Sequence, residues 1–314
     1  MASQRDVRNK ISSVKNIQKI TRAMEMVAAA RLRRAEQRIE ALRPYADAIR
    51  RMTAQAAGAA GQEATRFPLL RQHESENSVG LLLVTGDRGL AGAFNSQIIR
   101  AGVRRANELS GEGRSTSWYG TGRRGVSSIS FRGNELSGSY TGFSDRPAYA
   151  DARGVAGDLT TAYVDGALDR VEVIYNRYVS PLTQTVTREV LLPLSQAIFA
   201  EDSAGGEAGE QRGGDEQQRG GDGDASAGRA AVEYEPDAET ILARLVPDYV
   251  EISIYRALVE SAAGFFGAQM TAMRSASDNA GEIITQYTLQ MNRARQAEIT
   301  QEIMEVVAGA EGLT

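Results

Sequence analysis

From Asp248 to Ala310 the chain runs for more than sixty residues without a proline, and its apolar or small side chains recur at alternating spacings of three and four. Ile252, Tyr255, Val259, Ala262, Phe266, Met273, Ala276, Ala280, Ile283, Tyr287 and Ala294 fall on this grid, and only Gln269 and Gln290 interrupt it. A seam of period 3.5 held over this many turns specifies a coiled coil, not a surface helix of a globular domain. At about 1.5 Å per residue the segment would be roughly 90 Å long. Such a rod needs a partner along its length.

The other end of the chain offers one. Residues 3 to about 57 read as a second long helix, with Ser3 and Asp6 forming a capping box and Gly58 and Gly61 supplying a stop. Its seam begins at Val7, Ile11, Val14, Ile17 and Ile20, stretches through Met24, Ala28 and Leu32 as a stutter, and resumes at Ala35, Ile39, Leu42, Ala46 and Ile49. Pro44 falls inside it and is expected to kink it. An arginine-rich amphipathic start also suits an organelle transit peptide, but the seam continues past residue 40, which argues against that.

Charge pairs the two ends. Residues 2–60 carry thirteen Lys or Arg against five Asp or Glu, and residues 236–314 carry five Arg against eleven Asp or Glu. Opposite charge favours pairing between the helices over self-pairing, although each exposed pair contributes little. If both helices leave one central domain they run antiparallel, with both termini at the far tip. The C-terminal helix is longer, so it should overhang its partner with Ile299, Ile303, Met304, Val306 and Val307. A lone helix this apolar calls for a surrounding partner, the alternatives being a frayed terminus or a contact with a second copy of the chain.

Residues 77–195 have a different pattern. Val79–Thr85, Ser115–Tyr119, Leu136–Thr141, Val171–Tyr175 and Gln184–Leu192 read as strands, with helical stretches from Asn95 to Leu109, around Arg123–Ser130 and over Tyr149–Leu168. Alternation of strands and helices predicts an α/β fold, a mostly parallel sheet covered by helices, with a hairpin at one edge. The fold class is therefore a Rossmann-like α/β domain carrying a long antiparallel two-helix coiled coil. The domains are 1–60 and 237–314 for the two helices, 77–195 for the α/β foot, and 201–231 for an insert. That insert holds nine glycines and eight acidic residues against three arginines, with no apolar cluster, and is expected to be disordered.

Composition removes several chemistries. There is no cysteine, so disulfides, thiol catalysis and thiolate metal sites are excluded. His73 is the only histidine; it lies in a polar loop, is expected to be solvated, and cannot by itself build a histidine metal site. No apolar run approaches the roughly 20 residues that span a bilayer. The net charge of -4 is modest, so the total points to no polyanion partner, and no nucleic acid is expected. The loop Thr85-Gly-Asp-Arg-Gly-Leu-Ala-Gly-Ala-Phe-Asn95 follows the first strand of the α/β unit, where phosphate loops occur. Its glycines are spaced GxxGxxG, it has no lysine, and Asp87 would repel a phosphate, so a tight strand-to-helix turn is the better reading and no cofactor is expected. The residues alone leave two alternatives: a coiled-coil scaffold protein, and a nucleotide-binding α/β enzyme with helical extensions.

Two terminal stretches go further. Lys19-Ile-Thr-Arg-Ala-Met-Glu-Met-Val-Ala-Ala-Ala30 resembles the N-terminal signature of the F-type ATP synthase gamma subunit. Asn292-Arg-Ala-Arg-Gln-Ala-Glu-Ile-Thr-Gln-Glu-Ile303 with Val-Ala-Gly-Ala310 resembles its C-terminal one, and Arg43-Pro-Tyr45, Thr85–Asn95, Tyr234–Asp237 and Ser277-Asp-Asn279 fall between them in the expected order. The resemblance covers the whole chain except the insert. It implies a non-catalytic rotating shaft at the cytoplasmic face of a bacterial cell membrane, peripheral to it. The implied partners are alpha and beta subunits around the shaft, and an epsilon subunit and a membrane ring of c subunits at the foot, which is the only membrane contact. By the same resemblance Arg295, Gln296, Thr300 and Glu302 would hydrogen-bond a beta-subunit loop near the tip. Met24, with Lys19 and Arg22 nearby, would face the acidic lever loop of beta, and Tyr234 and Glu235 would lie near the ring and epsilon. The insert lies where chloroplast relatives carry a cysteine pair; with no cysteine here, redox control by that route is excluded.

Overall fold

The computed structural model describes residues 4–194 and 237–311, so the 201–231 insert, Tyr234 and Glu235 lie outside the described residues. In chain order the elements are α1 (Gln4–Ala60), a 3-10 turn (Gly61–Arg66), β1 (Ser78–Val84), α2 (Phe94–Gly111), β2 (Ser115–Thr121), α3 (Arg123–Phe131), β3 (Leu136–Tyr140), α4 (Tyr149–Val164), β4 (Arg170–Ser180), β5 (Thr183–Leu192) and α5 (Ala238–Glu311).

Helix α5 starts ten residues before Asp248 and carries Pro247 in its interior. Its first turn is capped by Asp237, whose carboxylate accepts from the Thr240 backbone N–H at 2.7 Å and the Thr240 hydroxyl at 2.9 Å. At 74 residues it is about 110 Å long. Helix α1 passes through Pro44 and Gly58 and stops only at Ala60, before Gly61 with its positive φ of 53°.

The two helices pair antiparallel. Lys10 lies over the Tyr287 ring, the Gln18 amide donates to the Ser277 carbonyl at 3.2 Å, Arg274 meets Glu25 at 2.8 Å, and Arg31 lies over Phe266. As α1 advances, its partner recedes by the same number of residues. Carried to Gln4, this register ends the pairing near residue 293.

The seam differs from the expected one in phase. On α1, burial follows Val7, Ile11, Val14, Gln18, Thr21, Glu25, Ala28, Leu32, Ala35 and Ile39, an unbroken heptad with no stutter. Ile17 and Ile20 are instead 50% and 58% exposed. On α5 above Phe266, the inward residues are Met270, Met273, Ser277, Ala280, Ile284, Tyr287, Met291 and Ala294, while Ile283 is exposed. Both phases satisfy a 3.5-residue spacing. What decides between them is the partner: polar Gln18 and Thr21 have hydrogen bonds available across the seam or within their own turn, to the Ser277 and Gln18 carbonyls.

The foot is a five-stranded sheet in the order β3-β2-β1-β4-β5, parallel through the first four strands with β5 antiparallel at the edge. Side chains alternate between two buried faces. Leu82 and Val84 join α4, the start of α5 and the end of α1; Leu81 and Leu83 join α2, Trp118 and Phe265. His73 is not solvated: its Nδ1 lies 2.8 Å from Asp169 Oδ1, and its ring packs on Tyr163. Gly102 marks where α2 closes on the sheet, because a Cβ there would lie 2.6 Å from Leu83 Cδ2. Gly102→Ala should therefore lower stability by about 1–2 kcal/mol despite its better helix propensity, read as a drop in urea midpoint at constant m.

Candidate functional site

In an open doubly wound sheet, ligands bind at the carboxyl ends of the strands where the strand order reverses. Here that point lies between β1 and β4, and α5 runs across it. The Ser261 hydroxyl donates to the Val84 carbonyl at 3.2 Å, and Phe265 packs edge-on to Phe94 at 5.5 Å. The remaining cavity, bounded by Val84, Gly86 and Phe265, is about 10 Å³. That is barely room for one water.

The glycine-rich loop is likewise satisfied from within. Asn95 accepts from the Gly86 N–H at 2.8 Å and donates to the Arg88 carbonyl at 3.1 Å, which folds the loop onto the start of α2. The Asp87 carboxylate accepts from the backbone N–H groups of Arg123, Gly142 and Ser144 and from the Ser144 hydroxyl, at 2.8–3.1 Å. These are the donors that a phosphate would otherwise take. Burial alone would raise the Asp87 pKa, but the hydrogen bonds from Gly142, Ser144 and Arg123 outweigh it and hold the carboxyl below its ordinary 3.8. Gly122, with φ 83°, lets the next strand-to-helix turn approach, since a Cβ there would lie 2.1 Å from the Thr85 carbonyl oxygen.

The exposed chemistry lies on the shaft. From Arg295 to Ala308 every residue of α5 is exposed, the stretch beginning where the register with α1 runs out. Ile303, Met304 and Val306 are 57%, 64% and 73% exposed on this single helix. Arg295, Gln296, Thr300 and Glu302 occupy two of its turns among these apolar residues, and the Thr300 hydroxyl is turned back onto the Gln296 carbonyl at 2.8 Å.

Met24 is half-buried beside the seam, with Lys19 and Arg22 exposed near it. The structure does not bring this group together with the tip group: Met24 sits at the level of Met273, about 33–44 Å along α5 from residues 295–302. Around Met24 it reveals a feature the sequence reading missed. Ile17, Ile20, Met24 and Val27 recur at spacings of three and four on the outer side of α1, with Val27 53% exposed. The signal was the polar trio Gln18, Thr21 and Glu25, which continues the strict heptad and turns these apolar residues outward.

Comparison with known proteins agrees over the full length. A family model described as ATP synthase matches residues 3–313. The ATP synthase gamma chain of Rubrobacter xylanophilus is 42% identical over 313 residues, covering 100% of this chain and 99% of that protein. The gamma chain of Streptomyces coelicolor is 40% identical over 317 residues, covering 99% and 96%. Among solved structures, a chain of the Euglena gracilis mitochondrial ATP synthase OSCP/F1/c-ring assembly gives a TM-score of 0.64 at 17% identity, covering 99% of this chain and 94% of its own. One from the central stalk and c-ring of the Tetrahymena thermophila enzyme gives 0.56 at 24% identity, covering 82% and 99%. The structural likenesses share the fold, and the sequence matches span both chains end to end: the chain belongs to the ATP synthase gamma chain family.

Proposed function

We propose that this chain is the rotating central shaft of an F-type ATP synthase, non-catalytic itself, which couples proton flow through a membrane ring to nucleotide turnover at beta subunits. The observation that carries this reading is the single-helix tip: an apolar helix extending past its coiled-coil partner needs a sleeve, and a ring of alpha and beta subunits is one. The filled switch-point crevice and the internally satisfied Asp87 loop support assigning the chemistry to other subunits. Rotation works through differential contact: each shaft angle favours one set of beta conformations, which is what any coupling between sites requires.

In this reading Arg295, Gln296, Thr300 and Glu302 bond a beta-subunit loop at the tip. Met24 and Arg22, flanked by the outward stripe of Ile17, Ile20 and Val27, meet the lever loop of beta lower down. Tyr234 and Glu235 belong to the foot contact with epsilon and the c ring, which holds the chain at the cytoplasmic face of a bacterial membrane. The division into 1–60, 77–195, 201–231 and 237–314 then separates shaft, foot and insert.

The test uses the exposed tip. Ile303→Ser with Val306→Ser removes no internal packing, so the stability of the isolated chain should stay within about 0.5 kcal/mol of the parent. Binding to an alpha–beta head should weaken at least about tenfold, or about 1.4 kcal/mol. Unchanged head binding would remove the sleeve from the argument.

A further inference from the structure

At the junction of shaft and foot, α1, α5 and the loop between β3 and α4 line a cleft of about 330 Å³, open on one side and the size of a small-molecule site. Arg31, Arg34 and Arg38 line it from α1, and Arg146 faces them from the loop. Positions 31, 34 and 38 share one helix face and span about 10 Å. The carboxylate in the lining, Asp145, is already shared between Arg31 at 3.2 Å and Arg88 at 3.7 Å. Arg34, Arg38 and Arg146 make no ion pair among the described residues. The floor is apolar: Val259 and Phe266 line it, and the Arg31 guanidinium lies 5.7 Å from the Phe266 ring centroid.

Convergent cations in a concave, partly apolar wall focus a positive potential that attracts anions. Guanidinium forks match phosphate and carboxylate oxygens in geometry as well as charge. We propose that this cavity binds a compact organic polyanion, with several phosphate or carboxylate groups on a small carbon body. The unpaired arginines take its anionic groups and the Val259–Phe266 floor takes its carbon skeleton. The volume and the small apolar floor suit a small molecule, and an acidic protein segment is the occupant that the test must separate from it. On α1 the site continues the outward stripe of Ile17, Ile20, Met24 and Val27 at the same spacing of three and four, one turn nearer the foot, and binding to the isolated chain reads it without any beta subunit.

Titration calorimetry of the purified full chain at low salt tests this, with citrate as the carboxylate probe and fructose 1,6-bisphosphate as the phosphate probe. At least one should bind one-to-one with a dissociation constant below about 1 mM. Arg34→Ala with Arg38→Ala should weaken that binding at least about tenfold. Arg33→Ala, an exposed neighbour outside the cavity, should leave it unchanged. The proposal is overturned by no saturable binding of either probe, by equal binding in the double variant, or by an equal loss in the Arg33 control. A protein segment seated over Arg34 and Arg38 in the assembled complex would also overturn it, in favour of a docking contact.

Discussion

Oxidation of a Met24→Cys variant against a cysteine placed in the facing loop of beta should stop ATP hydrolysis and proton-driven synthesis together, and reduction should restore both. The chain has no cysteine of its own, so the bridge forms at the engineered pair or not at all on this side. A disulfide needs Cα atoms within about 7 Å, so it closes at one shaft angle and ties the shaft to the head. Met24 suits the experiment because it is half-buried beside the seam, while the seam position itself is Glu25, held by Arg274 at 2.8 Å. The smaller thiol therefore leaves the coil's pairing intact. Steady-state turnover is measured before oxidation, after it, and after reductant, with the bridged fraction read from a non-reducing gel. Nearly complete bridging with unchanged turnover would show that the shaft does not turn against beta at this level.

Asp87→Ala should cost the isolated chain about 2 kcal/mol, because it strips a charged acceptor from the half-buried Ser144 N–H and hydroxyl and from the exposed N–H groups of Arg123 and Gly142 at once. The loss is read from the urea midpoint. Asp87→Asn should recover part of it, since one amide oxygen still accepts but carries no charge. The effect also has a pH signature. The Asp87 carboxyl titrates lower in the folded chain than its ordinary 3.8, so its stabilisation is complete above that value and is lost as pH falls through the folded one. The alanine variant should therefore show a shallower decline in stability on the acid side than the parent. Equal acid limbs would mean that the loop is held by Asn95 and Gly122 rather than by the carboxylate.

The long helices and the foot were legible in the sequence because their periods differ. Spacings of three and four mark the rods, and short apolar runs around residues 79–85 and 171–175 mark the strands. The overhanging tip was legible too, since it follows from two helix lengths and an antiparallel pairing. The phase of the seam was not. Two heptad frames both fit α5, sharing Met273, Ala280 and Tyr287 and differing by one residue at the positions between them, and on α1 the apolar choice of Ile17 and Ile20 cost a stutter that the true frame avoids by burying Gln18 and Thr21. Single-chain periodicity cannot weigh a hydrogen bond to Ser277, more than 250 residues away. His73 was misread for the same reason, as its partner Asp169 is 96 residues distant. The arginine cavity was equally hidden. On α1 alone Arg34 and Arg38 look like a solvated face, and only the fold brings Arg146 opposite them.

The polar stretch of the seam has a mechanical consequence. Interdigitated apolar side chains attract without direction, so a purely apolar helix pair resists separation better than it resists sliding by one heptad. A directional bond between Gln18 and the Ser277 carbonyl has one axial position, and polar residues at such sites fix register at some cost in stability. Under torque applied at one end, a pair free to slide would dissipate part of the load as axial slippage. A pair pinned at Gln18 and at the Glu25–Arg274 bridge has to twist as one body, so a turn imposed at the foot reaches the tip as an angle.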